Sequence, residues 1–370
     1  MKKISIFIVV ALVTLSSRAY SIDTTAKQAI LIDFSSGEIL FKKNEDHKIS
    51  PASLTKIMTS IVAFDLIKKG QLKLDEKITI STKAWRMSKQ GYSSMFIMPN
   101  DKITVENLLK GIIIASGNDA CLALAEGIAG SEESFAIMMN EKAKDIGMKN
   151  TNFSNASGIF SGDNYSTIAD VGMMSVHLIK NYPEFYKIYS EKSFTWDRTG
   201  GKPITQSNRN SLLYRNSNVD GIKTGHLSDS GFSLAASMKN GERRLVSVVS
   251  GTASNAERTR ESLKLLNYAV ITTDLVKIKK DNPLLVAEFW NGKLNQTKLH
   301  LKDDVFFAYS KRKSRDLNLT INIDQPIKKQ FKINDELGLL KVQDKNGFSK
   351  EYTLYASENY TKINFIRKFI

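Results

Sequence analysis

Apolar positions alternate near the start of this chain, take helical spacing through its middle, and alternate again towards its end. Residues 29–33 and 38–41 read as two strands around the turn Ser35-Ser36-Gly37. A helix is predicted next. Pro51 stands at its start, and Leu54, Ile57, Met58, Ile61, Val62, Leu66 and Ile67 recur along it until Gly70. Its apolar residues lie on more than one face, which predicts a central, buried helix.

From residue 104 to 147 the period is again helical. Thr104 is an N-cap candidate before Leu108, Leu109, Ile112 and Ile113. Ser131 caps a second segment carrying Phe135, Met138, Met139 and Ile146, closed by Gly147. Thr167 and Asp170 open another helix with Met174 and Leu178. Residues 232–238 and 245–250 are apolar runs joined around Asn240-Gly241, a hairpin signal. Helical spacing returns over 255–271. Strands, then helices, then strands with a last helix predict an α+β unit, a mixed sheet with a segregated helical cluster.

Beyond Asp274 the chain alternates with period two, most clearly over 317–323, and Asn291-Gly292 and Asn346-Gly347 mark further hairpins. A small all-β unit is expected over 274–355, after a larger unit over 22–273. A length of 370 residues accommodates both, since single cores rarely grow past about 250–300 residues. Residues 356–370 are expected to form an amphipathic membrane-anchor tail. On a helix Phe365, Ile366, Phe369 and Ile370 share a face flanked by Lys362, Arg367 and Lys368, a pattern suited to a membrane interface.

The first residues carry a different pattern. Lys2 and Lys3 precede an apolar run over 4–15, and Ala19-Tyr20-Ser21 places small residues where a signal peptidase reads. The run is well short of the roughly 20 residues that span a bilayer. Residues 1–21 are therefore expected to be a signal peptide cleaved before Ile22, with the mature chain exported. Formal charge is +15, of which Lys2, Lys3 and Arg18 carry three, leaving the mature chain at +12. Such a chain favours anionic surfaces, and export argues against nucleic acid as the partner. Cys121, the sole cysteine, lies in an apolar stretch and reads as buried and inert. His47, His177, His226 and His300 show no metal-ligand spacing, so neither a metal nor a cofactor is expected.

Three short motifs carry the candidate chemistry: Ser53-Leu54-Thr55-Lys56, Ser116-Gly117-Asn118 and Lys223-Thr224-Gly225. The first two have decoys, at Ser310 with Lys313 and at Ser357 with Asn359. Context separates them. Ser53 stands at the start of a buried helix, where the macrodipole is positive, and Lys56 falls on the same face within reach of its hydroxyl. A lysine against so apolar a helix loses solvation, which lowers its pKa and suits it to act as a base. Ser116-Gly117-Asn118 falls between two helices, and Lys223-Thr224-Gly225 just before the predicted strand pair. There a strand edge offers backbone groups to an extended substrate and the side chains meet a carboxylate.

With these motifs in this order, the chain resembles the low-molecular-mass penicillin-binding serine-type D-alanyl-D-alanine carboxypeptidases. Segments 50–56, 155–158, 208–213 and 220–226 are also similar to that family. The resemblance implies a serine β-lactamase/penicillin-binding transpeptidase-like fold followed by the small β domain. It implies removal of the terminal D-alanine from peptidoglycan stem pentapeptides, with β-lactams as covalent inhibitors. Ser53 is then the acylated nucleophile, Lys56 its base and Ser116 a proton relay. Asn118 would bind the substrate's peptide group, and Lys223 and Thr224 its terminal carboxylate. Gly225 completes that motif, and the oxyanion would sit between the backbone N–H groups of Ser53 and His226. Leu227 departs from the family, which usually carries a small hydroxyl residue there; substrate fit on the strand edge is the detail this touches. The implied location is periplasmic, peripheral on the outer face of the cytoplasmic membrane. Two related activities use the same motifs: a D-alanyl cross-link endopeptidase and a β-lactamase. No Glu-x-x-x-Asn element of the β-lactamase kind lies between Ser116 and Lys223.

Overall fold

The computed structural model describes residues 22–360 apart from 160, 199, 281–284, 289–295 and 324–329. The expected signal peptide, the Asn291-Gly292 turn and residues 361–370 of the tail lie outside the described residues. Elements run in this order: β1 (Gln28–Asp33), β2 (Ile39–Lys43), α1 (Thr55–Lys68), β3 (Lys77–Thr79), α2 (Thr82–Met87), β4 (Lys102–Thr104), α3 (Val105–Ile113), α4 (Asn118–Ala129), α5 (Glu132–Ile146) and α6 (Ile168–Asn181). After them come α7 (Pro183–Tyr186), β5 (Ser193–Trp196), β6 (Ile204–Ser207), α8 (Leu212–Arg215), β7 (Val219–Leu227), β8 (Gly231–Asn240), β9 (Arg243–Thr252) and α9 (Asn255–Thr272).

The α+β organisation is present. Its five-stranded sheet has the order β2-β1-β9-β8-β7 and is antiparallel at every pairing, where mixed strand directions were expected. The reason is the connectivity. β7, β8 and β9 follow one another through short turns, and β1 closes against β9 only after the helical cluster has intervened. The central helix is as buried as its all-round apolarity requires, with every residue from 55 to 64 buried. Thr104, Ser131 and Thr167 each accept a backbone N–H as N-caps of α3, α5 and α6, an interaction worth about 1 kcal/mol apiece.

At the far end of α1, Asp65 ties this helix to α5 and to the link between α6 and α7. It pairs with Lys69 at 2.8 Å and with Lys142 of α5 at 2.9 Å, and accepts the Tyr182 hydroxyl at 3.0 Å. Burial alone pushes the Asp65 carboxyl up, but the hydrogen bonds from Lys69, Lys142 and Tyr182 outweigh it and hold the group at about 2. A carboxyl depressed on folding stabilises the protein above its unfolded pKa, and that contribution is lost as pH falls through the folded value. Asp65→Asn is therefore expected to lower unfolding free energy at neutral pH by about 1 kcal/mol, allowing for screening at the exposed Lys69. In urea titrations the difference from wild type should close as pH falls from 4 towards the about 2 of the folded group.

The remaining strands are β10 (Thr273–Ile278), β11 (Leu285–Glu288), β12 (Gln296–His300), β13 (Val305–Ser310), β14 (Asn318–Asn322), β15 (Glu336–Gln343) and β16 (Ser349–Ala356). They form a β10-β13 pair and an antiparallel sheet of order β11-β12-β16-β15-β14 around a separate core of Leu299, Phe307, Leu340, Val342 and Leu354. The all-β expectation holds here, and β14 coincides with the alternating run at 317–323. Residues 356–360, the first of the expected tail, pack onto this unit through paired Phe331 and Tyr360. The two units meet at Glu38, which accepts the Ala308 N–H at 2.5 Å and pairs with Lys350. Arg243 holds Asp33 at 2.7 Å and the Thr273 carbonyl at 2.7 Å, where the larger unit ends.

Candidate active site

Ser53 lies one step before the central helix, in a single 3-10 turn over Ala52–Leu54 that leads into α1. Ala52 has φ +49°, a left-handed conformation that a residue with a Cβ adopts only when its surroundings enforce it. The enforcing neighbour is the loop at 155–158. A Cβ on Gly158 (φ +79°) would sit 1.8 Å from the Ala52 carbonyl oxygen, so only glycine lets the two backbones touch. Asn155 shapes this loop by accepting the N–H groups of Gly158 at 2.7 Å and Ser157 at 3.2 Å. Glu132, at the start of α5, accepts the Ala156 N–H at 3.0 Å, and burial pushes its carboxyl up.

Lys56 is buried to 1% exposure. Its Nζ lies 3.0 Å from Ser53 Oγ, 2.6 Å from Asn118 Oδ1 and 2.5 Å from the Ser157 carbonyl. Two of these neighbours can only accept, whereas the hydroxyl can donate. A neutral amine with two N–H groups and one lone pair matches that set: both hydrogens go to the carbonyl oxygens and the lone pair faces Ser53. Burial lowers the Lys56 pKa, ahead of the opposing pull from Cys121, Asp119 and Glu132, and so favours that neutral form. Cys121 itself is buried, which pushes its thiol up to about 12, in keeping with an inert cysteine.

Ser116 stands in the link between α3 and α4 with φ +61°. A Cβ on Gly117 would lie 2.9 Å from the Met95 backbone nitrogen, so glycine again permits a close approach. Asp119 fixes the neighbouring segment, accepting the N–H groups of Met95 at 2.8 Å, Phe96 at 2.8 Å and Ile97 at 3.2 Å, and the Ser94 hydroxyl at 2.6 Å. The Ser116 hydroxyl accepts from Lys223 Nζ at 2.9 Å.

Lys223, Thr224 and Gly225 do not precede a strand; they lie inside β7, the edge strand of the large sheet. The alternation that marks half-buried strands is absent because 221–225 are buried in succession. At Gly225 the strand passes directly over the serine turn, where a Cβ would stand 3.1 Å from the Pro51 carbonyl oxygen. His226 is exposed and stacks on Phe232 with centroids 3.9 Å apart. Arg258 of α9 donates to the Gly225 carbonyl at 2.8 Å. Burial lowers the Lys223 pKa well below the usual lysine range, and Lys56, Arg209 and Arg258 reinforce it. Arg258 donates only to neutral oxygens, and with Arg209 nearby it gives this concavity a positive potential that attracts a carboxylate.

The structure thus joins Ser53, Lys56 and Asn118 in one hydrogen-bonded group and Ser116 with Lys223 in another. Thr224, Gly225 and His226 continue along the adjoining edge. Ser310 and Lys313 lie at the end of β13 and in the turn after it, in the small β unit. Reading the motifs alone misses Glu132, Asp119 and Arg258, and the Ser157 carbonyl, which as a backbone atom leaves no side-chain signature.

A half-buried serine beside a buried lysine, where a helical cluster meets an antiparallel edge strand, belongs to the active-site-serine acyl-transfer class. The family model described as D-alanyl-D-alanine carboxypeptidase matches residues 14–254, and the one described as penicillin-binding protein 5, C-terminal domain, matches 275–362. D-alanyl-D-alanine carboxypeptidase DacC of Escherichia coli is 41% identical over 74% of this chain and 68% of its own length. DacA of the same organism is 35% identical over 93% of this chain and 86% of its own. The crystal structure of penicillin binding protein 5 from Haemophilus influenzae superposes with a TM-score of 0.83 at 33% identity, covering 92% of this chain and 99% of that one. The chain belongs to the D-alanyl-D-alanine carboxypeptidase family and is a serine-type carboxypeptidase.

Proposed function

We propose that this enzyme removes the terminal D-alanine of peptidoglycan stem pentapeptides through an acyl-enzyme on Ser53, and that β-lactams acylate the same hydroxyl. The observation that carries this reading is the Lys56 amine, buried, held by two carbonyl oxygens and directed at Ser53 Oγ. Lys56 takes the hydroxyl proton as Ser53 Oγ attacks the penultimate D-alanyl carbonyl. Ser116 relays a proton to the departing amine as the C–N bond breaks, and water then hydrolyses the ester. Asn118 holds the substrate's peptide group. Lys223 and Thr224 hold the terminal carboxylate, supported by the cationic setting that Arg209 and Arg258 provide. The oxyanion lies between the backbone N–H groups of Ser53 and His226, beside Gly225. Leu227 makes the rim of this edge apolar.

The reading extends to the whole chain. Residues 1–21 direct export and are removed; 22–273 hold the catalytic unit and 274–355 the β unit; 356–370 attach the enzyme peripherally to the outer face of the cytoplasmic membrane, in the periplasm. No helix among the described residues is long and apolar enough to cross a membrane. Incubation with a soluble pentapeptide stem is expected to release free D-alanine, while cross-linked stem dimers stay intact. Cleavage of the dimers instead would assign an endopeptidase, and turnover of a penicilloyl adduct within milliseconds would assign a β-lactamase.

A further inference from the structure

The small β unit carries a second cationic concavity, remote in sequence from the catalytic motifs. Along β12 and the residue pair after it, Leu299 and Leu301 turn into the core, so alternation sends Lys298, His300 and Lys302 to the opposite face. Together with Lys280 and Ser357 they line a pocket of about 510 Å³ that no carboxylate lines among the described residues. In the same unit Lys277 pairs with Asp304, Lys341 with Glu351 and Lys345 with Asp316. Lys280, Lys298 and Lys302 have no ion pair among the described residues. Asp304 already holds Lys277 at 3.2 Å and the Lys280 N–H at 3.0 Å. Like charges gathered on one face repel one another unless an anion joins them.

The position of the pocket indicates which anion. Ser357 donates its N–H to the Lys298 carbonyl at 3.1 Å, and its hydroxyl lies 3.2 Å from His300 Nδ1. Residue 361 follows four positions later, so the rest of the tail begins within about 14 Å of Ser357 even on a fully extended chain. A tail lying in a membrane interface brings lipid headgroups to this distance. We propose that Lys280, Lys298, His300 and Lys302 form a headgroup site that receives the phosphate of an anionic phospholipid. This rests on the reading of the tail as a membrane-surface segment, and it assigns the β unit a direct share in lipid selection.

The test uses the full chain and vesicles of phosphatidylcholine alone or with one-third phosphatidylglycerol. Each lysine near an anionic surface is worth about five-fold in partitioning. Lys298→Gln with Lys302→Gln is therefore expected to lower binding to the phosphatidylglycerol vesicles roughly 25-fold. Binding to phosphatidylcholine and D-alanine release from a soluble peptide should not change. Wild-type binding to the anionic vesicles by the double variant overturns the proposal. So does stabilisation by inorganic phosphate with no effect on vesicles, which would mark a free-phosphate site, or loss of binding only to an acidic wall polymer. A tail variant, Phe365→Asp with Phe369→Asp, separates the two readings. Lysine-dependent binding that survives it upholds the headgroup site and removes the tail reading. Loss of all binding in the tail variant, with none in the lysine variant, does the reverse.

Discussion

Ser53→Ala is expected to abolish covalent labelling by penicillin and to reduce D-alanine release by on the order of 10⁴-fold or more, the scale on which loss of a nucleophile is felt. Ser53 Oγ is the hydroxyl placed 3.0 Å from the buried Lys56 amine, at a turn where strained Ala52 and the contact with Gly158 fix the backbone. Removing one exchangeable hydroxyl leaves the loop at 155–158 and the Lys56 contacts to Asn118 and Ser157 in place. Folding and noncovalent substrate binding should therefore persist, and a KM close to wild type in the residual activity would be consistent with that. Ser310→Ala, at the other Ser-x-x-Lys pair, provides the control and should label as wild type does. A labelled adduct in Ser53→Ala, mapped to any other residue, would sink the assignment.

How much of this was legible beforehand differs from element to element. The central helix announced itself because apolar residues on several faces have only one stable place to go, and residues 55–64 are all buried. Caps at Thr104, Ser131 and Thr167 were legible because a side chain answering a free N–H is a local event. β7 was not. Its residues 221–225 are buried in succession, so no alternation marks them, and the motif on it read as lying just before the strand pair. Strand direction was equally hidden, since it depends on β1 returning to β9 across most of the catalytic unit. Within the site, residues of one motif were readable and their supports were not. Glu132 and Asp119 act on backbone N–H groups brought near only by folding. The Ser157 carbonyl is 101 positions from Lys56 and carries no residue-type signal.

The second large effect concerns Lys56 and separates a base from a mere charge. Lys56→Arg keeps a cation but never deprotonates in the working range, whereas Lys56→Met removes the group while keeping much of its length. Both are expected to slow acylation by about 10²–10⁴-fold, the usual contribution of a positioned base. The pH profile carries the stronger evidence. The base must be neutral to accept the Ser53 proton, so the wild-type acylation rate should rise with pH through the Lys56 pKa and then level off. Burial places that midpoint below the ordinary lysine value. The two variants should show no such rise in their residual rates. Lys223 titrates in the same cavity, and its pKa too is lowered by burial and by Lys56. A bound carboxylate draws Lys223 back towards its charged form, so its titration belongs to KM, while that of Lys56 belongs to the acylation step. Measuring acylation at saturating substrate therefore isolates Lys56. An arginine variant that kept a tenth of wild-type acylation would show that position 56 supplies only charge, and the proton would have to leave Ser53 by another route.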